Sequence, residues 1–322
     1  MTAVTVRAPA KINLQLAVGP LREDGYHDLV TVFQAVSLYD EVTAAAVDGP
    51  GADVVLTTGE GAESVPAGPD NLALRAATAL ARVAGLSADP GRHLEITIRK
   101  RIPVAAGLAG GSADAAAALV ACNELWGTGL SHQELCEIGG SLGSDVPFAL
   151  MGGTAVGRGR GEQLTVALAA GSYHWALAFA AGGLSTPDVY AACDRLRAAR
   201  SSGGGDGTVS AGAWEPELSG PLMTALRSGD PAAVGPQLVN DLQAAAITLR
   251  PDLRRALTAG REHGALGAIV SGSGPTCAFL ARDARQARDL AVSLTGAGIC
   301  RGVAVASGPV PGAALVAAGD PA

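Results

Sequence analysis

Between residues 11 and 18 apolar and polar positions alternate: Ile12, Leu14, Leu16 and Val18 interleave with Lys11, Asn13, Gln15 and Ala17. A period of two marks a half-buried strand and sets Lys11 and Asn13 on its polar face. A strand over 4–7 joins it at Pro9. After the turn REDGYHD, apolar or alternating stretches at 29–37, 41–47 and 53–58 predict a mostly antiparallel sheet early in the chain. The period then changes. Asp70 is placed to cap a helix from Asn71 to about Ala84, which Gly85 ends. LEITIRK, 94–100, alternates as a strand and leads into IPVAAGLAGGSADAAAALV, 102–120, a glycine-rich turn followed by a helix beginning near Ser112. Ser131 with Glu134 forms a capping box for a helix that finishes at Gly139–Gly140. Asp145 then falls in the turn SLGSDVPF behind that helix.

Beyond about residue 170 come a strand at 175–180, a helix opened by Thr186–Pro187, and alternating helices and strands to residue 307. A chain of 322 residues exceeds the usual single core. The expected fold class is therefore α+β in two domains, 1–169 and 170–322. SSGGGDGTVSAGA, 201–213, has the composition of a flexible insertion, and the Pro/Gly/Ala-rich tail after 308 that of a frayed end.

Hydrophobic residues make up 48% and charged residues 16%, which argues against disorder, while every long apolar run is interrupted before membrane-spanning length. MTAVTVRAPAKIN carries no leader features, so a cytoplasmic protein without membrane attachment is expected. A formal charge of −7 gives no general attraction to nucleic acid, so a phosphate-bearing ligand needs a local site. The five cysteines show no C-x-x-C pairing and read as reduced core thiols; the five histidines lie far apart, and no metal ligand is assigned.

The glycine-rich stretch at 107–111 has two readings. Gly107, Gly110 and Gly111 allow backbone to approach an anion at the positive end of the following helix, or they allow tight packing of strand on helix. No Gly-Lys-Ser/Thr follows, which excludes a Walker loop. A dinucleotide fingerprint would open an early parallel βαβ unit, not follow a run of strands. If the loop holds phosphate, its positive charge must come from elsewhere.

PVAAGLAGGSADA, 103–115, resembles the phosphate-binding motif of the galactokinase, homoserine kinase, mevalonate kinase and phosphomevalonate kinase (GHMP) superfamily. APAKINLQL, 8–16, and SGSGPTCAFL, 271–280, are similar to its amino- and carboxy-terminal motifs, and the three occur in the superfamily's order. The resemblance implies a ribosomal-protein-like amino-terminal domain, a ferredoxin-like carboxy-terminal domain and an active site between them. AKINLQL, then REDGYHDLVTVFQAV with its D-G-Y-H, and later LGSDVPF most closely resemble one branch of that superfamily. Its implied reaction is ATP-dependent phosphorylation of the tertiary 2-hydroxyl of a cytidine-diphosphate-linked methylerythritol, in the non-mevalonate route to isoprenoid precursors.

By that resemblance Lys11 and Asp145 are the catalytic pair, the carboxylate kept charged by the ammonium and mainly orienting the attacking hydroxyl. Pro103, Val104, Ala105, Ala106, Gly107, Leu108, Ala109, Gly110, Gly111, Ser112 and Ala113 form the phosphate loop, with Asn71, Leu72 and Lys100 near the adenine of ATP. Asn13, Tyr26 and His27 lie near the cytidine-bearing substrate, Tyr26 suited to stacking on cytosine, and Thr186 and Tyr190 close over it. The charge missing from the loop would come from the helix dipole, from Mg2+ on the ATP phosphates and from Lys11. Ser112 would bond a phosphate oxygen or a magnesium water, or serve as an ordinary N-cap.

The chain departs from the family pattern at Ala113, where a second serine is usual, and at Ala105, Ala106 and Ala109, where glycines are. Without the resemblance, Tyr26–His27 also fits a surface turn, Thr186–Pro187 a plain helix start and 271–280 a tight strand turn. The alternatives are another kinase of the superfamily, acting on homoserine or phosphomevalonate, the related mevalonate diphosphate decarboxylase, or a non-catalytic nucleotide-binding module. A monomer or weak homodimer acting on a small molecule is expected.

Overall fold

The computed structural model describes residues 3–49, 53–86, 92–202 and 215–316, so most of the expected insertion at 201–213 lies outside the described residues. The first half comprises β1 (Ala3–Leu21), β2 (His27–Asp48), β3 (Val54–Gly59), α1 (Leu72–Val83), β4 (Arg92–Lys100), α2 (Gly110–Trp126), α3 (His132–Leu142), α4 (Val146–Met151), β5 (Thr154–Arg158) and β6 (Gln163–Val166). The second comprises β7 (Tyr173–Phe179), α5 (Thr186–Ser202), α6 (Gly220–Ser228), α7 (Pro231–Val234), β8 (Val239–Asn240), α8 (Gln243–Leu249), α9 (Asp252–Glu262), β9 (Gly267–Val270), β10 (Cys277–Ala281), α10 (Ala284–Gly296), β11 (Gly302–Gly308) and β12 (Ala314–Leu315).

One sheet runs β12-β1-β2-β4-β3, with β5 and β6 continuing from β2 and β8 beside β1; among the described residues, its β3–β4 and β1–β8 pairs are parallel and the others antiparallel. The strands expected at 4–7 and 11–18 are one strand, and Pro9, which has no N–H to donate, marks a register shift at Pro9/Ala10. Likewise 29–37 and 41–47 are one strand whose two ends pair with different neighbours, β5 and β4. The alternation in β1 predicted a half-exposed strand, yet Lys11, Asn13 and Gln15 are buried too. Helix α2 covers one face, and the second half of the chain covers the other: Gln15 donates to the Glu217 carbonyl and accepts from the Ser219 N–H.

Three helix boundaries differ from expectation. Asn71, not Asp70, caps α1, its side chain accepting from the Ala73 N–H at 2.8 Å. Helix α2 begins at Gly110, with Ala109 as its N-cap, so Ser112 lies inside the first turn. The capping box of Ser131 and Glu134 forms, but α3 runs past Gly139–Gly140 to Leu142. Gly139 is a packing position: a Cβ there would stand 2.8 Å from Val146 Cγ1. Asp145 consequently sits as the N-cap of α4.

A second, antiparallel sheet runs β11-β7-β10-β9, backed by α9 and α10. The fully buried Trp175 of β7 donates Nε1–H to Gln34 of β2 at 3.0 Å, and the Ser307 N–H donates to Ser37, so the two sheets share a seam. The expected fraying after 308 does not hold for residues 309–316. The Ala313 N–H donates to the Ala149 carbonyl, β12 pairs with β1, and a Cβ on Gly312 would meet the Leu150 carbonyl at 2.0 Å. Cys122 and Cys277 are buried free thiols.

Candidate active site

A cleft of about 910 Å³ opens where β1, the glycine loop, the start of α4, the start of α5 and the 271–276 turn converge. Of the residues singled out in the sequence, Lys11, Asn13, Tyr26, His27, Leu72, Ala105, Ala106, Gly107, Ala109, Gly110, Gly111, Ser112, Asp145, Thr186 and Tyr190 line it. Pro103, Val104, Leu108, Ala113, Asn71 and Lys100 do not.

The loop is fastened on two sides. The Lys11 N–H donates to the Leu108 carbonyl at 3.1 Å; the Ser271 hydroxyl donates to the Gly107 carbonyl at 3.0 Å and the Thr276 N–H to the Ala106 carbonyl at 3.3 Å. The glycines divide between packing and opening on the cleft. Gly107 (φ +76°) is a packing position, where a Cβ would stand 2.2 Å from the Ser271 carbonyl oxygen. Gly110 and Gly111 open the first turn of α2 on the cleft, with no side chain capping it and no carboxylate in that turn. Ala105 (φ 52°) and Ala109 (φ 60°) hold left-handed backbone without being glycine. Each costs about 1–2 kcal/mol, strain that the fastened loop sustains beside the cleft.

Across the cleft, Lys11 Nζ lies 3.9 Å from Asp145 Oδ2 and donates to Asn13 Oδ1 at 2.7 Å. Asn13 in turn donates to the Thr31 hydroxyl at 2.8 Å, and that hydroxyl to the Gln15 carbonyl. This chain orients the ammonium, which also stands 5.7 Å from the centre of the Phe33 ring. Burial pushes the Lys11 pKa down, and the neighbouring Asp145 carboxylate works against that shift. At 3.9 Å the pair attracts without a direct hydrogen bond. The Asp145 side chain remains 30% exposed, so both groups can address a third atom.

At the other end, His27 Nε2 lies 3.1 Å from both oxygens of Asp194, and its ring centre is 5.0 Å from that of Tyr190. A carboxylate can only accept, so Nε2 carries the proton and the imidazole is fixed in place. Tyr26 is half exposed with the Arg160 guanidinium 5.0 Å from its ring centre. Thr186 and Ser273 share a hydroxyl–hydroxyl bond at 2.9 Å, joining α5 to the 271–276 turn. Asp194, Arg160 and Ser273 were missed in the sequence. Asp194 had a signal: it follows Tyr190 by four residues, so the two share a helix face.

The side chains of Asn71 and Lys100 are engaged elsewhere. Asn71 Nδ2 donates to the Pro66 carbonyl while its oxygen caps α1. Lys100 is sealed between Asp40 and Asp114; burial opposes its charge, and the two carboxylates outweigh that and raise its pKa. The β4 pattern carried this signal, because Lys100 shares its face with Leu94, Ile96 and Ile98, all buried. Among the described residues no group of three or more His, Cys, Asp or Glu could hold a metal ion, and no helix is long and apolar enough to cross a membrane.

The chain is similar to known proteins along nearly its whole length. The family model described as GHMP kinases N terminal domain matches residues 71–153, and that described as GHMP kinases C terminal matches 222–299, together half of the chain. A protein of Mycolicibacterium smegmatis named 4-diphosphocytidyl-2-C-methyl-D-erythritol kinase is 56% identical over 316 residues, covering 98% of this chain and 93% of its own length. One of the same name from Nocardia farcinica is 54% identical over 315 residues, 97% and 96% of the two chains. A crystal structure of 4-(cytidine 5'-diphospho)-2C-methyl-D-erythritol kinase superposes with a TM-score of 0.73 at 33% identity, covering 94% and 98%. Homoserine kinase from Cytophaga hutchinsonii, at 18% identity, TM-score 0.72 and 98% coverage of both chains, shares the fold. With both domain models in order along an α+β chain and relatives above half identical over nearly its whole length, the chain belongs to the GHMP kinases, in the family of the 4-diphosphocytidyl-2-C-methyl-D-erythritol kinases.

Proposed function

We propose that the cleft transfers the γ-phosphoryl group of ATP to the 2-hydroxyl of 4-diphosphocytidyl-2-C-methyl-D-erythritol. The observation that carries this reading is the meeting in one cleft of the uncapped start of α2 with the Lys11–Asp145 couple. An open helix start with free N–H groups and no carboxylate in its first turn suits a polyphosphate. ATP supplies the phosphoryl group, and a Mg2+ ion bound with it would supply screening of the phosphate charge. Such a metal would be held through the phosphates, with the Ser112 hydroxyl near enough to the loop to bond one of its waters.

The N–H groups of Gly110, Gly111 and Ser112 bind the phosphates and fix them against the loop. Lys11 supplies the positive charge that the loop lacks, and its Asn13–Thr31 hydrogen bonds fix where that charge points. The acceptor oxygen attacks the γ-phosphorus as the bond to the β–γ bridging oxygen breaks. Asp145 Oδ orients the hydroxyl by accepting its hydrogen bond and takes the proton as the new P–O bond forms. Because phosphoryl transfer depends chiefly on alignment and charge, a weak base is sufficient. Tyr26, His27 and Tyr190 form the far end, where Tyr26 stacks on cytosine and the Asp194-held His27 bonds its edge. In this reading residues 1–169 form the ATP-binding domain and 170–322 the substrate domain, with β8 and β12 lending strands back to the first sheet.

A coupled phosphorylation assay over a short panel of alcohols tests the proposal. The cytidine-bearing acceptor should exceed homoserine and mevalonate in kcat/KM by at least about a hundredfold, roughly 2.7 kcal/mol in the barrier. Comparable rates across the panel would remove the cytidyl assignment; ATP consumption independent of any acceptor would remove the kinase itself.

A further inference from the structure

Beneath the glycine loop, a buried ionic chain joins the two points where the loop leaves the sheet and enters the helix. Asp40 of β2 accepts the N–H groups of Arg101 at 2.6 Å and Ile102 at 2.9 Å on Oδ1, where the loop begins. Its Oδ2 accepts from Lys100 Nζ at 2.5 Å, and the same ammonium donates to Asp114 Oδ2 at 2.6 Å, one turn into α2. The side chains of Lys100, Asp40 and Asp114 are at most 5% exposed, and none lines the cleft. A Cβ on Gly110 would lie 3.2 Å from Lys100 Nζ, so the ammonium stands directly behind the first residue of α2. The remaining oxygen of Asp114, Oδ1, has no hydrogen-bond partner among the described residues.

This is an unfavourable way to gain stability alone. Burying three ionisable groups carries a desolvation cost that apolar side chains of similar volume avoid, and one polar atom is left without a partner. What the arrangement does supply is geometry. Residues 101 and 102 are tied to Asp40, residue 114 is tied to Lys100, and Lys100 ties the two carboxylates to each other. The segment from 101 to 114 is thereby closed at its base. Two of its residues, Ala105 and Ala109, hold left-handed backbone that an unfastened chain would relax.

We infer that Asp40, Lys100 and Asp114 form a clamp that fixes the direction of the N–H groups at the start of α2, and so act as positioning residues for the phosphate donor. The inference rests on the reading of the cleft as an ATP site. Lys100 then serves the nucleotide through the loop it anchors, with its ammonium never reaching the ligand. The clamp lies on the donor side only, so its loss should separate the two substrates.

Calorimetric titration of the full chain with magnesium and a non-hydrolysable ATP analogue, without acceptor, reads the donor site apart from turnover; the KM of the acceptor is measured separately. Asp114→Ala should weaken the analogue about tenfold or more while leaving the acceptor KM within about twofold, a loss of at least about 1.4 kcal/mol on one substrate. Asp114→Asn, whose amide oxygen still accepts from Lys100, should bind the analogue within about threefold of wild type. A folded Asp114→Ala protein with unchanged analogue affinity overturns the clamp. So does a parallel loss for both substrates that Asp114→Asn fails to rescue, since that is the mark of a general brace. Should Asp114→Ala not fold, Asp40→Asn decides: one amide oxygen cannot serve both loop N–H groups and Lys100, and unchanged analogue affinity there refutes the inference. A wild type that binds no analogue strikes the reading of the cleft, not the clamp.

Discussion

Burial opposes the charge on Lys11, and Asp145 at 3.9 Å partly offsets that. Replacing Lys11 by Ala, or Asp145 by Asn, should lower kcat by about 10²–10⁴-fold with the fold intact, read by the coupled assay beside circular dichroism. A lowered lysine pKa means that the ammonium is lost earlier as pH rises. The alkaline limb of kcat should therefore fall below the ordinary lysine range. Asp114 shows the opposite displacement. Burial pushes its pKa up to about 7; Lys100 pulls it down and Asp40 adds to the rise. The protonated form is thus favoured in the folded state, so this group's contribution to stability declines as pH rises from the ordinary carboxylate range to about 7, then levels. Thermal melts of wild type and Asp114→Asn should diverge across that window, the Asn variant gaining. Parallel pH dependence would show that Asp114 titrates normally.

At the scale of elements, the glycine loop is a strained segment held by its neighbours. Its carbonyls at 106, 107 and 108 are taken up by Thr276, Ser271 and Lys11, residues from the chain's two ends. Gly107→Ala would add a Cβ 2.2 Å from a backbone oxygen at φ +76°. Neither the Ser271 carbonyl nor the loop can yield cheaply, so the variant should lose about 2 kcal/mol or more and bind ATP poorly, as melting with and without nucleotide would show. By contrast, Asn71→Ala removes one cap from α1 and should cost about 1 kcal/mol, read by thermal melting.

Over the whole molecule, the cleft exists because a seam joins the two sheets. Trp175 on Gln34, Ser307 on Ser37 and Gln15 on the 217–219 segment bring the second half against β1 and β2. The turn at 271–276 and the start of α5 thereby face the loop and Lys11. Ligands that bind between these elements should stabilise both halves together. Magnesium-ATP at a hundred times its dissociation constant should raise the unfolding free energy by about 2.7 kcal/mol, in a single shifted transition. A melt in which only part of the unfolding signal moves would mean that the seam does not couple the halves.

Much of this was written in local spacing. Alternation marked β1 and β4, Ser131 with Glu134 marked the start of α3, and the glycine stretch followed by alanines marked the loop and α2, because each depends on residues a few positions apart. Family motifs further carried Lys11, Ser112 and Asp145 to a common site, and all three line the cleft. What covers a face is a different matter. That Lys11 would be buried, that Gly139 would pack rather than stop a helix, and that Lys100 would meet Asp40 and Asp114 behind the loop were settled by elements distant in sequence. Periodicity tells which side chains point together. Only the folded chain decides what they point at, since that choice lies in contacts between segments whose separation no local pattern records.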